Sequence, residues 1–204
     1  GPVPRPVYTI DNPAVSFDGV HRRVNKIRGF SFCGNAGRLQ RIPLLVEAIE
    51  IYLGGGGKLM FAFAGSGVYQ SELERLAELY EYVEFVGLTS AIEAAQLNVD
   101  YQWAILPVED EATRYAFPSK SSSYAVAGAL ILAVCGESTS VGQWVKSNCL
   151  GIVVEPNVDS LVQAFQDIEL GKFNIENFNM NRDHLKGRLN FDVFVTALKS
   201  HIVE

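Results

Sequence analysis

The stretch QWAILPVEDEATRYAFPSKSSSYAVAGALILAV, residues 102–134, carries the pattern from which the fold is read. Gln102 to Leu106 is a short apolar run that reads as a strand, and Leu130 to Val134 is a second. Between them a polar loop, Phe117-Pro118-Ser119-Lys120, turns directly into a helix that contains Tyr124-Ala125-Val126-Ala127-Gly128. Strand, loop, helix and strand make a βαβ unit, and the start of its helix offers free backbone N–H groups beside a lysine. A phosphate-bearing ligand is the expectation that follows.

The same alternation extends in both directions. Upstream, Gly29 to Cys33 reads as a strand ended by Gly34, and Ile42, Leu45, Val46, Ile49 and Leu53 recur at helical spacing with Pro43 in the first turn. Lys58 to Ala64, then Gly65-Ser66-Gly67, then Leu73, Leu76, Ala77 and Tyr80 repeat strand, loop and helix. A strand at Val83 to Val86 and a helix around Ser90 to Leu97 complete that half. Downstream come a helix near Val141 to Lys146, a strand at Gly151 to Val154 and a helix from Asp159 to Ile168. Strands that are apolar on both faces and separated by amphipathic helices require a parallel sheet covered on both sides. The expected fold class is therefore α/β, a doubly wound parallel sheet of about six strands.

Three regions are expected: an extended lead-in over residues 1–28, an α/β domain over 29–170, and a polar connection with a C-terminal helix over 171–204. The lead-in holds four of the eight prolines and the basic residues Arg22, Arg23, Lys26 and Arg28. In the tail, Phe191, Phe194, Val195 and Leu198 mark one face of the last helix, which packs on the domain or crosses to a neighbour. Gly1-Pro2 in place of a methionine reads as the scar of a protease cut, so the chain is expected to be a piece of something longer.

Composition narrows the chemistry. With 204 residues and 48% hydrophobic content the chain can bury one substantial core. A net charge of -6 argues against a nucleic-acid surface, which needs basic side chains to displace counterions. Cys33, Cys135 and Cys149 are too scattered for a disulfide framework, which points to a reducing compartment and a cytoplasmic location. His21, His184 and His201 are isolated, so neither a metal site nor a histidine-based triad has a visible partner set, and no cofactor is expected. No apolar run reaches the roughly 20 residues needed to span a bilayer.

In an open parallel sheet the ligand binds beyond the carboxyl ends of the strands, which directs attention to three loops. In the first, Gly34, Asn35, Gly37, Arg38 and Arg41 combine close backbone approach with guanidinium groups that fork onto phosphate oxygens. The second, Gly65-Ser66-Gly67, is too short for a dinucleotide fingerprint. The third runs from Tyr115 to Ser123 and supplies serine hydroxyls and the Lys120 charge, although Ser119 also suits a plain helix N-cap.

Taken in order, FSFCGNAGRLQRIPLLVEA, FAFAGSGVYQSELERLAE, VEFVGL, FPSKSSSYAVAGALILAV and GIVVEPNVDSLVQAF resemble the donor-binding C-terminal half of retaining GT-B glycosyltransferases of the bacterial polysaccharide and O-antigen type. The likeness runs from about Phe30 to Phe165. It implies metal-independent transfer of a sugar from a nucleotide-diphosphate sugar to a glycan or lipid-linked acceptor, with the acceptor held on an N-terminal domain of the same protein. By that resemblance Gly34, Asn35, Gly37, Arg38 and Arg41 meet the donor pyrophosphate, helped by Gly65 and Gly67. Phe85, Val86 and Gly87 border the base, and Pro118, Ser119 and Lys120 meet the diphosphate and donor sugar. Arg38, Arg41 and Lys120 then stabilise the leaving group. No protein nucleophile is visible.

Two departures stand out. Gln40 falls where many members carry lysine, and Tyr115 and Ser123 occupy the places of the family's paired glutamates, the second of which holds the ribose hydroxyls. Glu109, Asp110 and Glu111 lie close enough to be considered as substitutes, against the plainer reading of a solvated acidic loop. The missing carboxylates keep a second reading open, a non-catalytic nucleotide-sugar-binding or assembly module. A nucleotide-sugar epimerase lacks its carboxylates and histidines here, and a nicotinamide dehydrogenase lacks its glycine spacing. The basic lead-in and amphipathic tail leave room for peripheral membrane contact in the intact protein.

Overall fold

The phenylalanines of the first strands set the core. Phe30 and Phe32 alternate with Ser31 along β1 (Ile27–Cys33), so both rings face one side of the sheet. Register places Phe30 between Phe61 of β2 (Met60–Ala64) and Trp103 of β4 (Tyr101–Pro107). Phe30 stacks on Phe61 at 5.3 Å between ring centroids, and Phe165 meets both rings edge-on at 5.1 and 5.2 Å. This aromatic row joins β1, β2, β4 and the helix that covers them.

The computed structural model describes residues 10–178 and 182–202; Gly1-Pro2 and the start of the lead-in lie outside them. After β1 come α1 (Ile42–Gly54), β2, α2 (Gln70–Leu79), β3 (Val83–Gly87), α3 (Ala91–Asp100) and β4. Then follow α4 (Asp110–Thr113), α5 (Lys120–Ala127), β5 (Leu130–Val134), α6 (Ser140–Ser147), β6 (Gly151–Val154), α7 (Val158–Glu169), α8 (Arg182–Arg188) and α9 (Phe191–Ile202). All six strands are parallel, in the order β3-β2-β1-β4-β5-β6. The fold is a doubly wound α/β sheet.

The period-2 alternation of β4 and β5 divides the core. Trp103, Ile105, Leu130, Leu132 and Val134 pack with α1, α2 and α7, whereas Ala104, Leu106, Ile131 and Ala133 pack with α5, α6 and α8. α3 lies against β1, β4 and α5. The chain winds outward from β1 to β3 and then returns through α3 to β4 on the other side of β1. That reversal opens a crevice beyond the carboxyl ends of β1 and β4.

Several elements were not anticipated. α4 is a single turn, held by Thr113 Oγ1 donating to the Asp110 carbonyl at 2.7 Å and by the ion pairs described below. The segment read as a polar connection contains a 3₁₀ turn at Ile175–Phe178 and α8. Phe173 and Phe178 each place an edge on Trp103 at 6.3 Å, and Leu185 and Leu189 are buried. Two phenylalanines and two leucines spread over this polar stretch are too few to raise a periodic signal. α9 packs on α8 and leaves Phe191 and Val193 exposed. The described lead-in is irregular but tied down: Asp11 accepts from Arg188 at 2.7 and 3.1 Å, and Ala14 N–H donates to the Leu189 carbonyl at 2.9 Å.

Phe165 is fully buried in contact with Phe30, Tyr52 and Phe61. Phe165→Ala should lower unfolding free energy by about 3–5 kcal/mol in urea denaturation; a change under ~1 kcal/mol contradicts this description of the core.

Candidate functional site

A cleft of about 580 Å³ opens at the reversal point. Its walls come from the ends of β1 and β2 (Cys33 to Asn35, Ala64 to Ser66), from the turn into α3 and its inner face (Leu88 to Ala91, Ala94, Ala95, Asn98), and from α5 (Ser119, Lys120, Ser123, Tyr124). Pro13 and Val15 of the lead-in close one side. None of the lining residues is Asp or Glu, and Lys120 is the one Lys or Arg among them.

The glycines explain how the loops pass one another. Gly65, at φ +128, approaches so closely that a Cβ there would stand 1.9 Å from the Gly34 carbonyl oxygen. Two hydrogen bonds join these loops, from Gly34 N–H to the Ala64 carbonyl and from Ala36 N–H to the Ser66 carbonyl, both 2.8 Å. A Cβ on Gly67 would meet the Ala36 carbonyl oxygen at 2.5 Å. Gly65 and Gly67 therefore bring the loops after β1 and β2 together, and of the two only Gly65 lines the cleft.

Lys120 is the central feature. Its Nζ lies 4.3 Å from the centroid of the Phe32 ring and donates to Gln40 Oε1 at 3.1 Å. A Cβ on Gly34 would stand 2.7 Å from Nζ, so the bare glycine backbone makes the space for the ammonium group. No carboxylate among the described residues pairs with it. Burial disfavours the charged form and brings the Lys120 pKa down to about 8, while desolvation pushes the neighbouring half-buried Cys33 thiol up to about 12.

Lys120 also opens α5, and the way α5 starts matters. α3, α6 and α7 begin with side-chain caps: Ser90 in a reciprocal capping box with Glu93, Thr139 accepting from Gly142 N–H, and Asn157 accepting from Ser160 N–H. Ser119 occupies the N-cap position of α5 but makes no such bond, contrary to the plain N-cap reading. The first turn of α5 thus lacks a side-chain cap, with Ser121 N–H donating to the Pro118 carbonyl at 3.1 Å, and at this end of the helix the dipole favours negative charge.

The expected site residues divide into two groups. Gly34, Asn35, Gly65, Ser119, Lys120 and Ser123 line the cleft. Gly37, Arg38, Arg41, Gly67, Val86, Gly87 and Pro118 lie outside its lining. The three cations expected together are not brought together. Arg41, in a left-handed conformation at φ 46, turns to α4: Nε donates to the Val108 carbonyl at 2.9 Å, and the guanidinium pairs with Glu109 at 2.9 Å and Asp110 at 3.1 Å. Asp110 also accepts from Gly136 N–H at 3.1 Å. Glu109 and Asp110 are therefore consumed in fixing Arg41, and Glu111 pairs with Arg114. Arg38, in a 3₁₀ turn, is exposed and has no ion pair among the described residues. Tyr115 is 84% exposed, away from the lining, whereas Ser123 is buried and its Oγ accepts from Val15 N–H at 3.2 Å.

Sequence reading missed the α3 wall. Ala91, Ala94, Ala95 and Asn98 recur at helical spacing, which reads as an ordinary core face; only the strand order shows that this face borders a crevice.

No protein-family model matches the sequence, and no curated protein is significantly similar to it. Solved structures do match its fold. The pneumococcal O-GlcNAc transferase GtfA, solved with UDP and GlcNAc, superposes with a TM-score of 0.59 at 16% identity over 97% of this chain and 39% of its own. The lipopolysaccharide outer core galactosyltransferase WaaB superposes at 0.60 with 15% identity over 94% and 54%, and sucrose-phosphate synthase from Thermosynechococcus elongatus at 0.65 with 13% over 93% and 50%. The chain spans roughly two fifths to just over half of the solved structures it matches. The likeness is one of fold: the same parallel α/β architecture occurs within these longer proteins.

A dianion in the cleft favours protonated Lys120, so ligand affinity is highest below about pH 8, where the free protein already carries the charge. Calorimetry with a nucleoside diphosphate should show affinity falling by about tenfold per pH unit above that point, and a flat profile to pH 9.5 contradicts it. Stability of the free protein has the opposite sign: losing the proton relieves desolvation, so stability rises from about pH 8 to the ordinary 10.5.

Proposed function

We propose that this chain is the donor-binding half of a retaining, metal-independent glycosyltransferase that takes a nucleotide-diphosphate sugar and passes its sugar to a glycan or lipid-linked acceptor. The observation that carries this reading is Lys120, a desolvated ammonium without a carboxylate partner among the described residues, placed at the start of a helix that lacks a side-chain cap. Its cleft contains no acidic side chain, although the protein as a whole is acidic. An anion entering there supplies the missing counter-charge at the positive end of the α5 dipole.

The chemistry follows from that placement. Cleavage of the bond between the anomeric carbon and the diphosphate leaves negative charge on the departing oxygen. Lys120 and the N-terminal dipole of α5 stabilise that charge. Gly34, Asn35 and Gly65 form the facing wall, Ser119 flanks the anion, and Ser123 faces the sugar ring of the nucleotide. Arg41 acts through structure, by locking the loop after β1 to α4. No carboxylate or histidine is among the cleft's lining residues, and this reading assigns the transfer to leaving-group stabilisation rather than to a protein nucleophile.

The acceptor belongs on a second domain, N-terminal in the intact protein, facing the cleft. Apolar side chains on the loops that follow the strands support a covering partner: Leu39, Val68, Leu88 and Tyr115 are 56%, 66%, 82% and 84% exposed. On this reading the reaction belongs to the cytoplasmic side of polysaccharide or O-antigen assembly, with peripheral membrane contact made by the intact protein. Among the described residues no helix is long and apolar enough to cross a membrane.

A second reading, a binding or assembly module without turnover, is favoured by the absence of a carboxylate at Tyr115 and Ser123. Sugar transfer by the intact protein that survives Lys120→Ala decides for the module.

Calorimetry with UDP-, GDP- and ADP-sugars should show one nucleotide class binding. A hydrogen bond to a charged group contributes about 1.5–3 kcal/mol, so Lys120→Ala should weaken that binding by about tenfold to a hundredfold. Arg41→Ala should lower the melting temperature and leave affinity within about threefold. No binding by any nucleotide sugar, or unchanged affinity in Lys120→Ala, overturns the reading.

A further inference from the structure

Pro13 and Val15 of the lead-in line two hollows: the cleft, and a second one of about 880 Å³ that the donor-binding reading does not use. One wall of this second hollow is the lead-in from Pro13 to Asp18, and the other is the turn from α8 into α9, Leu189 to Asp192. Val126 of α5 and Lys186 of α8 complete it. The bond from Ala14 N–H to the Leu189 carbonyl joins the two walls, and both residues are buried.

Each wall presents a phenylalanine. Phe191 opens α9 and is 59% exposed, its ring 6.1 Å from that of the half-buried Phe194. Phe17 is half-buried and held by a turn in which its carbonyl accepts from Val20 N–H at 3.2 Å, with Gly19 at φ +80. Polar groups of both kinds accompany the rings. Ser16 Oγ donates to Asp18 Oδ2 at 2.8 Å and accepts from Asp18 N–H at 3.1 Å, which orients the carboxylate and leaves Oδ1 without a partner among the described residues. Asn190 Oδ1 accepts from Asp192 N–H at 2.7 Å, leaving the Asn190 NH₂ to donate and the Asp192 carboxylate to accept.

We propose that this hollow is a binding site for an uncharged glycan chain, separate from the nucleotide cleft and independent of what fills that cleft. A pyranose has apolar C–H faces, which an exposed aromatic ring covers, and a rim of hydroxyls, each of which both donates and accepts. Phe17 and Phe191 serve the faces; Asp18, Asn190 and Asp192 serve the rim. Other ligand classes leave something unmatched. An anion meets two carboxylates, and a quaternary ammonium meets the Lys186 charge beside the rings. A purely apolar partner takes water from both carboxylates and returns no hydrogen bond. Since Pro13 and Val15 border both hollows, a chain held here lies alongside the ligand of the cleft.

The test is saturation-transfer NMR of the chain with maltotriose, cellotriose and triacetylchitotriose, followed by an amide-shift titration with whichever binds. At least one should bind with a Kd of about 1 mM or tighter, with the largest shifts at residues 16–18 and 189–192. Phe191→Ala should weaken that binding by about fivefold to tenfold, and Phe191→Trp should keep it. Phe191 is exposed, so neither change threatens the core. Tetramethylammonium should not displace the oligosaccharide. No binding of any of the three, shifts centred elsewhere, unchanged affinity in Phe191→Ala, or displacement by tetramethylammonium overturns the glycan site. Titration of the same sample with UDP, GDP and ADP reports on the cleft separately: diphosphate binding without oligosaccharide binding leaves the donor-binding reading standing, and oligosaccharide binding without diphosphate binding leaves the glycan site standing alone.

Discussion

The molecule is organised by the reversal of strand order between β1 and β4. Each side of the sheet is filled by the helices that return along it, but at the reversal the chain leaves β1 towards one side and β4 towards the other. The space between cannot be closed by either connection. Everything at the candidate site borders that gap: the bare backbone of Gly34, the start of α5 and the inner face of α3. The aromatic row through Phe61, Phe30 and Trp103, clamped by Phe165, holds β2, β1 and β4 in one register and so fixes the gap's edges.

Within this frame the charges separate according to what neutralises them. Arg41 and Lys120 both lie beside the loop after β1, and both are good phosphate ligands by residue type. Arg41 faces two carboxylates and a carbonyl, so its charge is spent on holding α4 against the first loop. Lys120 faces an aromatic ring, an amide oxygen and a thiol that stays protonated, so its charge is desolvated and unspent. An unspent charge in a cleft lowers stability in the free protein and is the reservoir from which an anion draws affinity.

The fold was legible because its strands are apolar on both faces and its helices carry a clean helical period. β5 and β6 coincide with the sequence reading, and β1 differs from it only by two residues at its start. The elements that escaped are those whose stability comes from a few distant contacts: α4 from Arg41, α8 from Leu185 and Leu189, and the 3₁₀ turn from Phe178 against Trp103. At the site, glycines and Lys120 were legible since backbone approach and anion binding need those residue types. The partition between Arg41 and Lys120 was not, because it depends on Glu109 and Asp110, which lie far from Arg41 in sequence and read as a solvated loop. The α3 wall of the cleft was hidden for a similar reason: which helix face borders the gap is set by strand order.

The most direct measurement is the titration of the Lys120 side-chain amine by NMR, in the free protein and with a saturating nucleoside diphosphate. The free protein is predicted to show a midpoint near the depressed value of about 8, and the bound protein a midpoint shifted up towards or beyond the ordinary 10.5. A midpoint that is ordinary in the free protein, or one that does not move when ligand binds, would show that Lys120 is not the unpaired charge that draws an anion into the cleft.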